Sequence, residues 1–440
     1  MIDTEVAAQR AYVLHPREGH GAEQAEYELE EALGLTEALE LDAVGGEIVP
    51  IREVRANTYL GGGKIEEVKA RIDSDDISVV VVNGQLTPIQ QRNLERAWKA
   101  KVVDRTGLIL EIFALRAATK EGRLQVELAR QSYERSRLVR TWTHLERQRG
   151  GQGFLAGPGE SQIESDRRML DERMGRLRAA LEKVRRTRGL QRQQRERAPE
   201  RVVALVGYTN AGKSTLFNRL TDGDVLAKDM LFATLDTTLR ILTLPNGKPA
   251  ILSDTVGFIS NLPTDLIAAF QATLEEVKLA DLLLHVRDIA DPLSDERATH
   301  VQDVLDQIDA GPKHGQRTLE VWNKADLLDA DQRAEMQEII DAQAALGPDA
   351  TQAVLVSAET GEGLDDLMLA IETLLSEDDR TLTLDIAPAD FAARAWLFEN
   401  GDVLQENQRD DGHSEITVRL SEVDAGKFGQ RFETVRALDA

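Results

Sequence analysis

The sequence contains no cysteine among its 440 residues. Disulfides, thiolate metal sites and cysteine nucleophiles are therefore excluded together, and the composition is that expected of a cytoplasmic protein. No run of 18 apolar residues occurs, which argues against a transmembrane segment. The first ten residues also lack the apolar stretch of a secretory signal.

Basic residues are outnumbered by acidic ones overall, but they are unevenly distributed along the chain. The chain has 53 Lys+Arg against 77 Asp+Glu, a net charge of −24, which usually argues against a nucleic-acid partner. Between Arg123 and Arg201, however, 20 basic residues stand against 11 acidic ones, a net of +9. Such a basic block can bind a phosphate backbone. The other interpretation is a solvated helix that its arginines keep soluble.

The patterning predicts an α/β protein in four parts. Strand and helix patterns alternate over 1–122, which is typical of an α/β domain with a mostly parallel sheet. Residues 123–198 predict a long helical hairpin, residues 199–377 repeat βα units, and 378–440 form a small α+β domain. The strands expected in the first part are Ala11–Leu14, Glu47–Val54, Ile77–Val82 and Lys101–Asp104, and the helices are Ala22–Leu41, Lys64–Ile72, Pro88–Trp98 and Leu108–Ala117.

Two apolar seams support the hairpin. Leu170, Met174, Leu177, Leu181 and Val184 are spaced by 4, 3, 4 and 3 residues, as in a coiled coil. A second, interrupted seam lies within 123–148, so two antiparallel helices are expected. The glycine-rich loop 150–161 joins them and carries Phe154 and Leu155 between glycines. It is either a flexible connector or a contact element, and the two apolar residues favour contact.

A phosphate-binding loop follows the hairpin. The strand beginning at Arg201 leads into G-Y-T-N-A-G-K-S and then a helix, the context in which G-x-x-x-x-G-K-[ST] binds nucleotide phosphates. The lysine reaches the β- and γ-phosphates, the serine is a Mg²⁺ ligand, and backbone N–H groups surround the phosphates. The expected nucleotide-binding residues are Gly207, Tyr208, Thr209, Asn210, Ala211, Gly212, Lys213, Ser214 and Thr215.

Three later motifs predict GTP as the nucleotide. D-x-x-G at 254–257 ends one strand, where Asp254 would hold Mg²⁺ through a water and the Gly257 N–H would contact the γ-phosphate. N-K-x-D at 323–326 ends another, and its Asp326 carboxylate can accept from two guanine donors that adenine lacks. S-A-E at 357–359 ends a third. The residues expected there are Asp254, Thr255, Val256, Gly257, Asn323, Lys324, Ala325, Asp326, Ser357, Ala358 and Glu359.

A threonine between the first two motifs should bind Mg²⁺ and become ordered by the γ-phosphate, as in GTPase switch segments. Thr234, Thr237 and Thr238 are the candidates, and their positions alone do not choose among them.

These motifs together resemble the HflX family of GTPases. The resemblance rests on the loop at 207–214, L-F-A-T-L-D at 231–236, D-T-V-G-F-I at 254–259, L-P-T-D-L-I-A-A-F at 262–270 and G-P-G-E-S-Q at 157–162. Gly61-Gly-Gly-Lys64 resembles an N-terminal element of the family, although it is too short to be a second phosphate loop. The resemblance spans 1–377 closely and the remainder loosely.

The family resemblance implies a function. It implies a GTPase that binds the large ribosomal subunit, splits ribosomes under stress, and reaches ribosomal RNA through its N-terminal domain and hairpin. It also favours Thr234 as the magnesium threonine and gives Lys213, Thr234 and Gly257 catalytic roles. The switch residues expected at the nucleotide are Phe232, Ala233, Thr234, Leu235 and Asp236. We expect a monomer.

The residue after D-x-x-G leaves water activation open. Phe258 stands where Ras-type proteins carry a water-orienting glutamine. Asn210 could instead hold K⁺ beside the phosphates, or simply cap its own loop. The alternatives to a ribosomal GTPase are a tRNA-modifying GTPase, which the lack of cysteine disfavours, and a GTP-gated adaptor that hydrolyses GTP negligibly without a partner.

Overall fold

The structure is a computed structural model, and its description covers most of the chain. The described residues are 9–17, 22–148, 158–195, 201–221, 232, 237–260, 274–347, 352–377, 379–409, 411–432 and 435–438. They form three β-sheets, two of which are mostly or wholly parallel.

The first sheet is parallel and four-stranded, in the order β2-β1-β3-β4. Its strands are β1 Arg10–Arg17, β2 Asp42–Pro50, β3 Val79–Val82 and β4 Lys101–Asp104. Its helices are α1 Ala22–Glu37, α2 Gly62–Asp75, α3 Pro88–Trp98 and α4 Arg105–Arg116. The four valines of β3 are all buried, as expected of a strand covered on both faces.

The bounds predicted for this sheet were wrong where one residue serves two elements or where glycine interrupts a strand. Asp104 ends β4 and also caps α4 by accepting from the Gly107 N–H at 2.8 Å, so α4 begins three residues earlier than predicted. Strand β2 starts before Gly45 and Gly46, which the pattern excluded, and ends at Pro50 rather than Val54. Gly46 lies close to α1, because an added Cβ would come within 2.9 Å of Leu29 Cδ1.

Two long helices follow, α5 Lys120–Gln148 and α6 Pro158–Arg195. They pack on each other, with Arg135 Nη1 at 2.8 Å from Asp171 Oδ1 and Met174 buried. The predicted loop 150–161 was too long, because α6 already includes 158–161: proline suits the first turn of a helix. Residues 149–157, with Phe154 and Leu155, lie outside the described residues. The antiparallel hairpin stays a prediction.

The central sheet is six-stranded, in the order β10-β9-β8-β5-β7-β6, and only its edge strand β6 is antiparallel to its neighbour. Its strands are β5 Arg201–Gly207, β6 Thr238–Thr243, β7 Pro249–Asp254, β8 Leu282–Asp288, β9 Thr318–Asn323 and β10 Gln352–Leu355. The helices are α7 Lys213–Thr221, α8 Ser294–Gln307, α9 Ala330–Ala344 and α10 Leu364–Ser376, with 3₁₀ turns at Pro312–His314 and Ala325–Leu327.

The third sheet is antiparallel, in the order β12-β13-β11-β14. It comprises β11 Arg380–Ile386, β12 Asp402–Gln408, β13 Ser414–Leu420 and β14 Arg436–Leu438, with helices α11 Phe391–Asn400 and α12 Glu422–Arg431. The sequence pattern predicts strands at Thr381–Ile386 and Glu415–Leu420, which correspond to β11 and β13, but it misses β12, whose residues are mostly exposed and therefore show no apolar alternation.

The first sheet and the central sheet share one apolar core. Buried residues of α4, such as Phe113, belong to the same cluster as Tyr208 and Phe258 of the central region. No helix of the described ranges is both long enough and apolar enough to span a bilayer.

Candidate functional site

The predicted nucleotide motifs meet at one edge of the central sheet. Strands β5, β7, β9 and β10 run parallel, so their carboxyl ends lie along the same edge. Asp254 and Asn323 are the last residues of β7 and β9, and the loops at 207–212 and 357–359 lie at the ends of β5 and β10. Ligands of open α/β sheets bind at this edge. The motifs gather there although the first, at 207, and the last, at 357, lie 150 positions apart in the chain.

The Lys213 ammonium is held by the loop that precedes it. Its Nζ donates to the carbonyl oxygens of Gly207 at 3.0 Å and Tyr208 at 2.7 Å. An ammonium has three donors, so a phosphate oxygen can accept the third. The side chain is 6% exposed. The loop therefore fixes the ammonium and leaves one of its N–H donors for a ligand.

Burial changes the protonation of this lysine. It lowers the pKa of Lys213 to about 8, and the nearby Asp254 carboxylate offsets only part of that shift. A bound polyphosphate would add negative charge beside the ammonium and favour its charged form.

Ser214 and Asp254 form the oxygen pair expected of a magnesium site. The Ser214 hydroxyl donates to Asp254 Oδ2 at 2.8 Å, and Asp254 is fully buried. Hydroxyl and carboxylate oxygens are the ligands that Mg²⁺ prefers, and the ion usually keeps several waters and phosphate oxygens besides. The pair therefore fits a Mg²⁺ ion that also binds the nucleotide. Within the described ranges no group of three acidic or histidine side chains could hold a metal by itself.

The D-x-x-G segment packs directly on the phosphate-binding loop. Phe258 N–H donates to Gly207 O at 3.1 Å, and Thr209 N–H donates to Phe258 O at 2.7 Å. A Cβ on Gly257 would lie 2.9 Å from Thr209 Cγ2 and 3.1 Å from Lys213 Nζ, so a larger residue there would displace the phosphate-binding loop. Phe258 is 2% exposed. Its ring is thus a core side chain and offers no polar group to a water.

The motifs predicted to bind the base are joined by a network through Asn323. Its Nδ2 donates to Ala211 O at 2.8 Å, and its Oδ1 accepts from the Ala358 N–H at 2.9 Å. The Ser357 hydroxyl donates to Asp326 Oδ1 at 2.6 Å, which fixes the carboxylate. Asn323 therefore ties the phosphate loop to the loop after β10, and Ser357 orients the acceptor predicted to bind guanine.

Six of the other predicted residues fall in three groups. Asn210 is exposed and has a left-handed backbone, with φ of 62°. Phe232 is 2% exposed and packs edge-on against Phe113 of α4, with ring centroids 4.7 Å apart, so its side chain lies in the core and its nucleotide contact stays a prediction. Ala233, Thr234, Leu235 and Asp236 lie outside the described residues.

The sequence did not predict that the phosphate loop would bind the first sheet's helices. The Tyr208 hydroxyl donates to the Glu31 carboxylate of α1 and accepts from the Ser260 N–H at 2.8 Å. Arg105 of α4 donates to the same Glu31 and to the Ser260 carbonyl at 3.1 Å. Burial, with Glu31 adding to it, raises the pKa of Tyr208, so the phenol stays protonated. No sequence motif linked Tyr208 to Glu31 or Arg105 to Ser260, pairs that lie 177 and 155 positions apart.

Two further residues escaped the sequence motifs. Asp288 ends β8 and pairs with Lys324 Nζ at 2.7 Å. Its position at the carboxyl end of a parallel strand could have identified it as a site residue from the sequence. Arg219 in α7 donates to the carbonyls of Ala358 and Glu359, and no pattern pointed to it.

Comparison with known proteins covers nearly the whole chain. Family models match in succession: "GTP-binding GTPase N-terminal" over 26–114, "GTP-binding GTPase Middle Region" over 116–195, "50S ribosome-binding GTPase" over 202–324 and "HflX C-terminal domain" over 343–439.

Several curated proteins are similar over most of their length. The chain is 51% identical to the GTPase HflX of Magnetococcus marinus over 369 residues, which is 84% of this chain and 82% of that protein. It is 45% identical to the GTPase HflX of Escherichia coli over 83% of each chain. Among solved structures, a complex of SsGBP with GDP aligns at a TM-score of 0.51 and 26% identity, over 84% of this chain and 99% of that one.

Proposed function

The chain belongs to the HflX family of GTPases, and on that premise we propose that it couples GTP hydrolysis to binding of the large ribosomal subunit. We further propose that it splits or rescues ribosomes under stress. The observation that carries the nucleotide part is the convergence of Lys213, Asp254, Asn323 and Asp326 at one sheet edge. The family model named for binding the 50S ribosome supports the ribosomal part.

We assign the phosphate chemistry to five residues. Lys213, already held by two loop carbonyls, neutralises charge on the β- and γ-phosphates. The Gly257 backbone N–H contacts the γ-phosphate, which is consistent with its position against Lys213. Ser214 and Thr234 would hold Mg²⁺ directly and Asp254 would hold it through a water, and the ion would supply electrostatic stabilisation of the phosphates when bound.

The attacking water must be oriented by something other than residue 258. Because Phe258 is buried and apolar, transition-state charge has to be stabilised elsewhere. One route is K⁺ held by the Asn210 side chain, whose exposure leaves its oxygen accessible. The other is a ribosomal partner that orders the switch segment. The two routes can act together, with K⁺ setting the basal rate and the ribosome raising it.

The basic helices supply a surface suited to RNA. Residues 123–201 carry a net charge of +9 in a chain whose total is −24. Contacts with a phosphate backbone release counterions, so their strength falls steeply with salt. We propose that α5, α6 and the loop between them contact ribosomal RNA, together with the N-terminal domain, and that the protein acts in the cytoplasm as a monomer.

The base-site assignment is tested by Asp326→Asn. A charged hydrogen bond contributes about 1.5–3 kcal/mol, so GTP should bind roughly 10²-fold more weakly. Xanthosine triphosphate should bind this variant more tightly than it binds the wild type, because an amide can donate to its 2-oxo group. Asp329→Asn is a matched control, since Asp329 only caps α9 and asparagine caps equally well. Unchanged GTP affinity in a fluorescence titration would refute the assignment.

The ribosomal part is tested by co-sedimentation with purified subunits on sucrose gradients. The protein should travel with the large subunit in the presence of a non-hydrolysable GTP analogue and dissociate from it with GDP. Sedimentation that is the same with either nucleotide, or that follows the small subunit, would contradict the proposal.

A further inference from the structure

Arg219 connects the helix of the phosphate site to the loop of the base site. It lies in the last turn of α7, six residues after Lys213 begins that helix. Its Nε donates to the Ala358 carbonyl at 3.1 Å, and its Nη2 donates to the Glu359 carbonyl. One guanidinium therefore holds two successive carbonyls of the loop that follows β10.

Holding these carbonyls fixes the direction of two N–H groups. In a trans peptide the C=O of one residue and the N–H of the next point to opposite sides of the chain, and the described residues contain no cis peptide. The Ala358 carbonyl faces Arg219, so the Glu359 N–H points away from Arg219. The Thr360 N–H, set in the same way, donates to the Ser357 hydroxyl at 3.1 Å. Over the described ranges the Glu359 N–H has no acceptor.

This loop lies beside the proposed guanine acceptor. Ser357 is bonded to Asp326 at 2.6 Å, and the Ala358 N–H is already used by Asn323 at 2.9 Å. The Glu359 N–H is thus the next backbone donor along the loop. Guanine presents an acceptor, O6, next to the N1–H that Asp326 would bind, whereas adenine presents an amino donor at the same position.

We propose that Arg219 is a positioning residue that sets base specificity. It keeps the Ala358 and Glu359 carbonyls turned away from the base, so that the loop offers an N–H to O6 rather than a carbonyl that would suit adenine. This role rests on the proposed nucleotide site. Without Arg219 the two peptides can rotate, and the loop loses its preference for an acceptor at position 6.

The test compares Arg219→Met and Arg219→Lys with wild type for three nucleotides. Dissociation constants are measured for GTP, for 6-thio-GTP, whose sulfur is a poor acceptor, and for ITP, which lacks only the 2-amino group. In Arg219→Met, GTP should bind about three- to tenfold more weakly. The preference for GTP over 6-thio-GTP, which is the ratio of their dissociation constants, should approach one. The preference for GTP over ITP, which reports on Asp326, should not change. Arg219→Lys should show a GTP affinity and a preference over 6-thio-GTP between those of the wild type and Arg219→Met.

Arg333→Met provides the matched control. Arg333 bonds the Glu362 side chain at 2.7 Å, at the far end of the same loop, without binding the carbonyls of residues 358 and 359. It should leave both preferences as in wild type. Equal weakening of all three nucleotides by Arg219→Met, or an unchanged preference for GTP over 6-thio-GTP, would overturn the proposal. If Arg219→Met fails to fold, Arg219→Lys decides alone.

Failure of the site assignment gives a different result. If Asp326→Asn does not alter the preference for GTP over ITP, the base does not bind at Asp326 and both proposals are lost. If that preference changes as expected while Arg219→Met has no effect on 6-thio-GTP discrimination, only the role of Arg219 is wrong.

Discussion

Nucleotide binding should draw a proton from solution near pH 8. Burial lowers the pKa of Lys213 to about 8 in the protein without nucleotide. Phosphate oxygens require the charged ammonium, and their own charge would raise this pKa again in the complex. Binding above pH 7 must therefore recharge those molecules whose lysine is neutral, and apparent affinity falls as pH rises.

The magnitude follows from the charged fraction. With a pKa of about 8, roughly nine-tenths of the lysines are charged at pH 7, half at pH 8 and a quarter at pH 8.5. Because the apparent dissociation constant scales with the inverse of the competent fraction, it should rise about fourfold between pH 7 and pH 8.5. At pH 8 each binding event should take up about half a proton.

Isothermal titration calorimetry measures both quantities. Titrations at pH 8 in two buffers of different ionisation enthalpy give the number of protons taken up, and a series from pH 7 to about pH 8.5 gives the affinity. Lys213→Arg is the control: its guanidinium stays charged, so any binding it retains should be independent of pH and buffer. Buffer-independent heats for the wild type at pH 8, with constant affinity, would refute the reasoning about Lys213.

Three further outcomes are expected. Basal hydrolysis should be faster in K⁺ than in Na⁺ at equal ionic strength, and both Asn210→Ala and Asn210→Gly should remove the difference; glycine suits φ of 62°, so it separates the side-chain oxygen from backbone strain. Deleting 150–159 should leave GTP binding intact and reduce stimulation by ribosomes, whose binding should weaken with salt; equal stimulation would contradict this. Arg105→Met should lower the free energy of unfolding in urea by about 3–5 kcal/mol, because it leaves the 8% exposed Glu31 side chain without its cation, and changing both residues should cost less than their sum.

Sequence patterns predicted the site's backbone better than its side-chain partners. The order of strand, loop and helix around Lys213 was correct because phosphate binding demands that local geometry, and glycine spacing records it. Asp254 and Asn323 were placed at strand ends because each motif follows an apolar strand pattern. The Asn323 bonds to Ala211 and Ala358 could not be predicted, since they depend on strand order in the sheet and not on spacing along the chain.

Patterns failed for elements whose residues have no periodic burial. β12 is an edge strand with exposed residues on both faces, so hydropathy gave no alternation to detect. β2 contains Gly45 and Gly46, which resemble a turn in the sequence but lie in a strand that pairs with β1 across a register shift near Tyr12. In both cases pairing with a neighbouring strand outweighs local propensity.

The variable positions of the phosphate loop explain how a general motif acquires contacts particular to one chain. G-x-x-x-x-G-K-S specifies the backbone, and three of the four x positions here contact different neighbours. Tyr208 reaches Glu31 of the first sheet's helices, and Thr209 packs on Gly257. Asn210 adopts the left-handed turn and stays exposed, while Ala211 offers its carbonyl to Asn323. Substitutions at Tyr208 and Thr209 should therefore leave the phosphate-binding backbone in place and each disturb a different neighbour, whereas the Asn323 bond to the backbone carbonyl of Ala211 should survive a change of the Ala211 side chain.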